Sequence, residues 1–219
     1  MTAPVPASRP DRRTPYLFAY DIGDAKRARA VRGCLKQWRL DGQYSVHETH
    51  LLPFQMRELA ADLLSHVHPR DDALLVCRLS QHGGPPIHPL SLTAAGRPPL
   101  LGPVRHGPAP LAASAGWFLL AYDVREPRRL QRVQRQTAKA CLFLQRSVYL
   151  YHGDGHRLAA VLDAVRAELE LNVDDARLYR LHGPGDLWFL SGPTPPLAET
   201  PSSGANLWQR LLNWIGRLT

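Results

Sequence analysis

Apolar residues recur along this chain in two matching sets, each with the spacing of a helix that buries one face. Both sets follow the i, i+3, i+4, i+7, i+11 pattern along one side of a helix. The first set is Met56, Leu59, Ala60, Leu63 and Val67, and the second is Leu158, Val161, Leu162, Val165 and Leu169. Because the sets lie 102 residues apart, the sequence predicts the same helix, and the same kind of core, twice in one chain.

Short apolar runs of strand length flank these helices in the same order in both halves. The predicted buried strands are residues 16–22, 73–79, 117–124 and 176–181. A further helix is expected after the first strand of each half, with Asp24 as N-cap in one and Pro127 in the first turn of the other. Pro53 is expected to begin the second helix of the first half. Whether residues 42–52 hold one strand or a tight hairpin stays open.

Polar positions repeat at the same offset as the apolar ones. The repeated groups are Tyr20-Asp21 and Tyr122-Asp123, Gln43-x-Ser45-Val46 and Gln145-x-Ser147-Val148, and Asp72 and Asp174. Strands and helices that alternate within a unit of about 70 residues are typical of an α+β sandwich of the split βαβ type. We therefore predict two ferredoxin-like (βαββαβ-type) sandwiches in tandem, which form a pseudo-dimer within one chain.

The remaining segments have the composition of tails and linkers. Residues 83–115 are rich in proline and glycine, which predicts a linker, although residues 87–92 within it have an edge-strand pattern. The predicted divisions are a tail (1–14), copy one (15–82), the linker (83–115), copy two (116–192), a second linker (193–205) and a C-terminal amphipathic helix (206–219). One apolar stripe of that last helix is a candidate partner-docking surface, with self-docking and membrane-surface attachment as alternatives. Its residues are Leu207, Trp208, Leu211, Leu212 and Ile215.

The net charge of +8 is concentrated in the first predicted helix of each copy. Residues 24–40 and residues 125–139 each hold six basic side chains. Lysine and arginine arranged in this way suit a polyanion that is bound through its phosphates. The candidate nucleic-acid-binding residues are Lys26, Arg27, Arg29, Arg32, Arg125, Arg128, Arg129 and Arg132. The alternative explanation is a solvated helix face, which becomes harder to sustain when the pattern occurs twice.

Cysteine usage and hydropathy narrow the class of protein further. The three cysteines, Cys34, Cys77 and Cys141, lack CxxC spacing, which favours reduced, unpaired thiols over a zinc site or a disulfide framework. The first 14 residues contain no apolar core of a signal peptide, so we expect the protein in the cytosol. No run of 18 apolar residues is present, so no membrane partner is expected.

The ordered motifs of residues 16–82 resemble the Cas2 family of CRISPR adaptation proteins. The resemblance rests on five features in order. They are Ala-Tyr-Asp-Ile at 19–22, the basic helix, Gln-Tyr-Ser-Val-His-Glu at 43–48, Leu52-Pro53-x-Gln55 at the start of a helix, and a strand that ends at Arg78-Leu79. Residues 117–181 keep Tyr122-Asp123 and Gln145-x-Ser147-Val148 but carry Arg146 in place of the tyrosine.

The resemblance implies a two-fold arrangement in which Asp21 and Asp123 face each other and hold Mg²⁺ as catalytic and metal-binding residues. It implies two functions on one fold. One is a metal-dependent endonuclease of RNA or DNA. The other is a scaffold that binds double-stranded DNA and bridges CRISPR integrase subunits. A single aspartate per copy is few ligands for a metal, so the sequence favours the scaffold, with a helix-capping or arginine-pairing role for the aspartates as the alternative. A ferredoxin-like regulatory or protein-interaction module is a further possibility.

Overall fold

A computed structural model describes residues 13–79, 90–92, 116–181 and 183–192 of the chain. Each copy follows the order strand, helix, two strands, helix, strand, and one additional strand follows each copy. The first part contains β1 (Thr14–Asp21), α1 (Ala25–Lys36), β2 (Arg39–Gly42), β3 (Val46–Leu51), α2 (Pro53–His66), β4 (Ala73–Arg78) and β5 (Leu90–Ser91). The second contains β6 (Gly116–Asp123), α3 (Pro127–Ala138), β7 (Leu142–Gln145), β8 (Val148–Gly153), α4 (Gly155–Glu168), β9 (Asp175–Leu181), a 3₁₀ turn (Pro184–Asp186) and β10 (Leu187–Ser191). The predicted tandem α+β fold is thus confirmed.

Local capping explains where the helices begin. The Asp24 carboxylate accepts a hydrogen bond from the backbone N–H of Arg27 at 2.8 Å, and α1 follows it. Glu126 does the same for α3, which has Pro127 as its first residue. Pro53 begins α2, as the sequence predicts, and Asp154 caps α4. Residues 39–51 form the β2–β3 hairpin rather than a single strand.

One edge strand of each sheet comes from the other half of the chain. The strand orders are β10-β4-β1-β3-β2 and β5-β9-β6-β8-β7, and all pairings are antiparallel. Thus β10, which follows copy two, completes the sheet of copy one, while β5 completes the sheet of copy two. An ion pair adds to the pairing of β10 with β4, because Arg78 of β4 donates to the carboxylate of Asp186, directly before β10, at 2.7 Å. The two copies are therefore joined by backbone hydrogen bonds as well as by packing.

The sheets pack face to face, and the helices cover their outer faces. Three buried clusters fill the resulting layers. One lies between α1, α2 and the first sheet, one lies between α3, α4 and the second sheet, and the third joins the two sheets. The third cluster includes Leu17 and Leu75 of copy one together with Leu119, Leu150 and Tyr179 of copy two. Burial of this apolar surface is what holds the pseudo-dimer together.

An ionic network completes the contact between the copies. The guanidinium of Arg177 in copy two donates to Glu48 at 2.8 Å and to Asp41 at 3.1 Å, both in copy one. It also pairs with Asp175 at 3.0 Å, and the Tyr179 hydroxyl donates to Glu48 at 2.8 Å. The Arg177 side chain is only 3% exposed, so this charge is removed from water and depends on its partners.

Candidate functional site

A cavity of about 410 Å³ lies where the two copies meet at the ends of their first strands. Both copies contribute equivalent segments to its wall. The lining residues from copy one are Tyr20, Asp21, Ile22, Gly23, Ala25, Ala28, Arg32, Tyr44 and Ser45. Those from copy two are Tyr122, Asp123, Val124, Leu130, Arg146 and Ser147. The structure thus brings Asp21 and Asp123 to one cavity.

The repeated Tyr-Asp and Gln-x-Ser-Val motifs build this cavity through backbone hydrogen bonds. The N–H of Tyr20 donates to the carbonyl of Ser45 at 3.0 Å, and the N–H of Tyr122 donates to the carbonyl of Ser147 at 3.1 Å. Each bond holds the hairpin turn beside the end of the first strand, where the aspartate follows. Ser147 adopts a positive φ of 64°, which shapes the turn in copy two. The motifs therefore repeat for a structural reason as well.

Asp123 is partly buried and interacts with groups of both copies. Burial raises the pKa of Asp123, the negative charge of Asp175 raises it further, and a hydrogen bond from the backbone of Tyr44 partly opposes both. That hydrogen bond crosses from copy one to copy two. Asp123 is therefore held by a group of the other copy, and its charged form is less favoured than that of an ordinary surface carboxylate.

Arginines also line the cavity. Arg32 donates from Nε to the Tyr20 hydroxyl at 3.1 Å, and its guanidinium lies 3.9 Å from the centroid of the Tyr44 ring. Copy two carries the exposed Arg146 where copy one has Tyr44. An anion that enters the cavity would meet both cations.

The donor set of the cavity fits a hydrated magnesium ion. Two carboxylates and the hydroxyls of Ser45 and Ser147 offer only oxygen, and Mg²⁺ in proteins commonly takes one or two carboxylates and keeps several waters. Among the described residues, no third carboxylate or histidine joins Asp21 and Asp123 within ligand distance of both. Asp21 and Asp123 would therefore be the carboxylate ligands of the ion, with water and substrate among its other ligands.

The eight basic candidates divide into two groups. Lys26 and Arg29 on α1, with Arg128 on α3 and Arg125 just before it, are exposed to solvent. Both helices border the cavity, through Ala25, Ala28 and Arg32 on one side and Leu130 on the other. The exposed cations of both copies therefore belong to elements that flank one opening.

The other group takes part in ion pairs or hydrogen bonds within the fold. Arg27 donates from Nε to the buried Asp72 at 2.6 Å, and Arg129 donates in the same way to the buried Asp174 at 2.7 Å. Burial alone raises the pKa of each aspartate, but the arginine and backbone hydrogen bonds hold the pKa of both below its ordinary value. Each pair joins the start of its first helix to the start of the closing strand.

Sequence reasoning alone did not find these two ion pairs. Asp72 and Asp174 repeat at the same offset as Arg27 and Arg129, and that coincidence is the signal that could have paired them. Arg132 is also engaged, since its Nε donates to Glu168 of α4 at 2.6 Å. The candidate partner-docking residues lie outside the described part of the chain; they are Leu207, Trp208, Leu211, Leu212 and Ile215. In the ranges that the structure covers, no helix has the length and apolar character that a membrane crossing needs.

Comparison with known proteins gives one consistent result. The sequence profile of the family described as CRISPR associated protein Cas2 matches twice, at residues 14–83 and 116–185. A protein of Nitrosomonas europaea named CRISPR-associated endoribonuclease Cas2 1 is 35% identical over 79 residues, which is 36% of this chain and 75% of that relative. A protein of Allochromatium vinosum named CRISPR-associated endoribonuclease Cas2 is 41% identical over 66 residues, or 30% of this chain and 70% of the relative.

Two further similarities have lower identity. A second protein named CRISPR-associated endoribonuclease Cas2 1, from Thermodesulfovibrio yellowstonii, is 31% identical over 67 residues, which is 31% of this chain and 73% of the relative. A solved structure of a hypothetical protein from Thermus thermophilus is 23% identical, with a TM-score of 0.31, and covers 32% of this chain and 85% of its own. Each of the three Cas2 relatives aligns over 66 to 79 residues, about the length of one copy, whereas this chain contains two copies.

Proposed function

Since this chain belongs to the Cas2 family of CRISPR adaptation proteins, we propose that it binds double-stranded DNA as a scaffold and bridges integrase subunits during spacer acquisition. One chain supplies what two chains of a single-copy relative would supply. The protein then acts as a monomer with an internal pseudo-dimer. Light scattering at low concentration should give the 24.5 kDa of one chain, and a stable species of twice that mass would contradict this.

The observation that carries the proposal is that both copies have exposed cations on, or directly before, the helices that border one cavity. Lys26, Arg29, Arg125 and Arg128 lie on elements of both copies that border the same cavity. Exposed lysines and arginines can neutralise phosphates and release condensed counterions, which binds a duplex without reading its bases. Arg27 and Arg129 support the surface indirectly, because their ion pairs with Asp72 and Asp174 fix the first turn of each helix.

The pseudo-two-fold arrangement supports the bridging part of the proposal. Two similar halves present two similar outer surfaces, so one integrase assembly can bind at each end of the same chain. The apolar stripe of residues 206–219 is our candidate for one such contact. Removal of residues 206–219 should reduce co-purification with the integrase but leave duplex binding intact, and unchanged co-purification would exclude this contact.

Duplex binding can be tested by fluorescence anisotropy with a labelled DNA across a salt series. Lys26→Ala with Arg29→Ala, and separately Arg125→Ala with Arg128→Ala, should each weaken binding for every sequence and lower the salt slope by about two units. Arg157→Ala is the matched control, because this arginine is 86% exposed on α4. No binding at low salt would favour a regulatory or protein-interaction module instead, and an effect of Arg157→Ala equal to that of the pairs would contradict the assigned surface.

The second candidate is a magnesium-dependent endonuclease of RNA or DNA. It is favoured by one observation, namely that Asp21 and Asp123 line one cavity, and by the name endoribonuclease that the relatives carry. A bound Mg²⁺ would neutralise charge on a phosphodiester and activate a water. The residues around it would orient the strand, with Arg32 and Arg146 facing the phosphates.

Variants of the two aspartates separate the two candidates. Asp21→Asn and Asp123→Asn together should abolish any cleavage that a chelator also abolishes, while duplex binding and spacer integration continue. Loss of integration by a folded double variant would show that the aspartates are essential to adaptation. It would contradict the proposal that the protein acts only as a scaffold.

A further inference from the structure

A three-residue cluster lies on the helical side of copy one, between α1 and α2. The sulfur of Cys34, a carboxylate oxygen of Asp62 and a ring nitrogen of His66 all lie within 4.8 Å of one another. Within the part of the chain that the structure describes, this is the single group of three or more histidine, cysteine, aspartate or glutamate side chains with such spacing. It is distinct from the cavity at the strand ends, whose wall contains none of these residues.

The fold fixes the three side chains from two helices. Asp62 and His66 are one turn apart on α2, so they lie on the same side of that helix. Cys34 comes from α1 and packs against the buried cluster beneath the helices, which restricts its position. Cys34 and His66 are partly buried, whereas Asp62 is exposed, so an ion can enter from solvent.

We propose that Cys34, Asp62 and His66 form a binding site for a zinc-class transition metal, which fastens α1 to α2. A sulfur, an imidazole nitrogen and a carboxylate oxygen are the ligands that Zn²⁺ takes in proteins. Mg²⁺ does not take a thiolate, so this site selects a different class of metal from the all-oxygen cavity. Binding converts the Cys34 thiol to a thiolate, and its proton is released to solvent.

The distances suit this ion after a small adjustment. A tetrahedral zinc ion holds sulfur and nitrogen ligands about 3.5 Å apart, compared with separations of up to 4.8 Å here. Rotation of the exposed Asp62 and of His66 at the end of α2 can close the difference. Three protein ligands leave the fourth position to water.

Copy two has an ion pair where copy one has the three ligands. At the offset of 102 residues, Cys34, Asp62 and His66 correspond to Gln136, Ala164 and Glu168. In copy two, Glu168 accepts hydrogen bonds from Arg132 at 2.6 Å and from Gln136, which joins α4 to α3. Copy one has Ala30 in place of that arginine. A metal on Cys34, Asp62 and His66 would join α1 to α2 at the position where the ion pair joins α3 to α4 in copy two.

Spacing in the sequence does not reveal such a site. Cys34 and Asp62 are separated by a whole hairpin and part of α2, and the chain has no CxxC pattern, which is why the sequence favours unpaired thiols. The ligands converge only when the two helices pack side by side. This inference does not depend on the proposed DNA scaffold, because none of the cations assigned to DNA belongs to the cluster.

The test uses the full chain without a histidine tag, stripped with a chelator under reducing conditions and titrated with Co²⁺. We expect about one Co²⁺ per chain, with thiolate-to-cobalt charge-transfer absorption, and displacement of that ion by Zn²⁺. Cys34→Ser should remove the absorption and weaken binding at least about tenfold. Zn²⁺ should raise the unfolding temperature of the unaltered protein but not that of Cys34→Ser. Cys141→Ser, in copy two, is the matched control and should behave like the unaltered protein.

A second variant guards against a simple loss of folding. The combination Ala30→Arg, Cys34→Gln, Asp62→Ala and His66→Glu transfers the ion pair of copy two into copy one. It should fold, bind no Co²⁺ and unfold at a temperature that does not depend on Zn²⁺. An unaltered chain that binds no ion, or Cys34→Ser with an undiminished cobalt spectrum, would overturn the proposal. Duplex binding by the combined variant should be unchanged, which separates this test from that of the scaffold.

Discussion

The two halves of the interface between the copies are built from opposite chemistry. In one half, Arg177 pairs with Asp41, Glu48 and Asp175, and Tyr179 donates to Glu48. In the other half, the positions that correspond to Glu48, Arg177 and Tyr179 are apolar and buried. They are Leu150, Leu75 and Cys77, respectively. The interface therefore has pseudo-two-fold symmetry in its backbone, but its side chains are charged on one side of the axis and apolar on the other.

This difference determines which surfaces can pair. A second copy one in place of copy two would bury Glu48 against Leu75 and Cys77 with no cation to neutralise it. A second copy two in place of copy one would leave Arg177 beside Leu150 with no carboxylate of the partner. Buried charges without partners are costly, so the arrangement favours pairing of unlike copies. A homodimer of identical chains has identical halves by symmetry and cannot use this device.

The largest effect is expected when the ionic half loses its cation. Arg177→Leu should destabilise the protein by about 3–5 kcal/mol, because Glu48 and Asp41 stay buried without a counter-charge. Urea-induced unfolding measures the change. Arg180→Ala, an exposed arginine on the same strand, is the control. If Arg177→Leu costs no more than Arg180→Ala, the network does not stabilise the interface.

The apolar half suggests how that loss can be recovered. Glu48→Leu combined with Arg177→Leu copies the chemistry of Leu150 and Leu75 into the ionic half. The double variant should be more stable than Arg177→Leu alone by about 1–3 kcal/mol, because neighbouring sites in one network couple. It should also form more self-associated species, since the charge that distinguishes the copies is gone. Additive effects of the two changes would argue against coupling.

A pH effect of about 3 kcal/mol at most is expected from His47, whose counterpart in copy two is Tyr149. Burial, together with the positive charges of Arg39 and Arg32, lowers the pKa of His47 to about 4. The unfolded chain takes up a proton near the ordinary pKa of 6.5, whereas the folded chain does so only near 4. Stability from this residue is therefore lost as the pH falls from about 6.5 to about 4.

His47→Phe isolates that contribution. Glu48 acts in the opposite direction, because burial raises its pKa and its proton is favoured in the folded state, so the comparison must be between variant and unaltered chain. The variant should unfold with a flatter dependence on pH between 6.5 and 4, whereas His156→Gln, an exposed histidine on α4, should leave the dependence as it is. Parallel curves for all three proteins would disprove the assignment.

A smaller effect is expected where the two copies have remained alike. Asp72→Ala should cost about 2 kcal/mol, because the buried carboxylate binds Arg27 and the backbone of His68. Asp174→Ala should cost about 1 kcal/mol more, since Asp174 accepts an additional hydrogen bond from the backbone of Arg125. Thermal unfolding of both variants measures the difference. The reverse order would show that the additional hydrogen bond from Arg125 does not stabilise the protein.

The smallest expected effect is a difference in stability between variants of two equivalent glutamines of the repeated motif. Gln43 donates from Nε2 across the interface to the carbonyls of Ala121 and Asp175, at 3.3 and 3.2 Å. Within the described residues, Nε2 of Gln145 has no hydrogen-bond partner. Gln43→Ala should therefore cost about 1 kcal/mol and Gln145→Ala close to nothing. Chemical unfolding measures both changes. Equal losses of unfolding free energy would show that the hydrogen bonds of Gln43 across the interface do not stabilise the protein.

Much of the fold was determined by local patterns. The helical spacing of Met56, Leu59 and Leu63, the capping aspartate at Asp24 and the proline at Pro53 all act within a few residues of themselves, so the predicted elements are found in the structure. The repeat at a fixed offset determined that two equal sandwiches exist, because identical patterns fold in the same way. The approach of Asp21 and Asp123 was implied by family resemblance and not by any local pattern.

What only the tertiary structure decided concerns contacts between distant segments. Copy two's β10 joins the sheet of copy one, Arg177 finds its carboxylates more than 100 residues earlier in the chain, and Cys34 meets Asp62 and His66 only after two helices pack. Sequence patterns report which face of an element is buried, but not what the facing element brings to it. Ion pairs, the cavity at the strand ends and the three-ligand cluster all depend on that second element, and therefore on the fold as a whole.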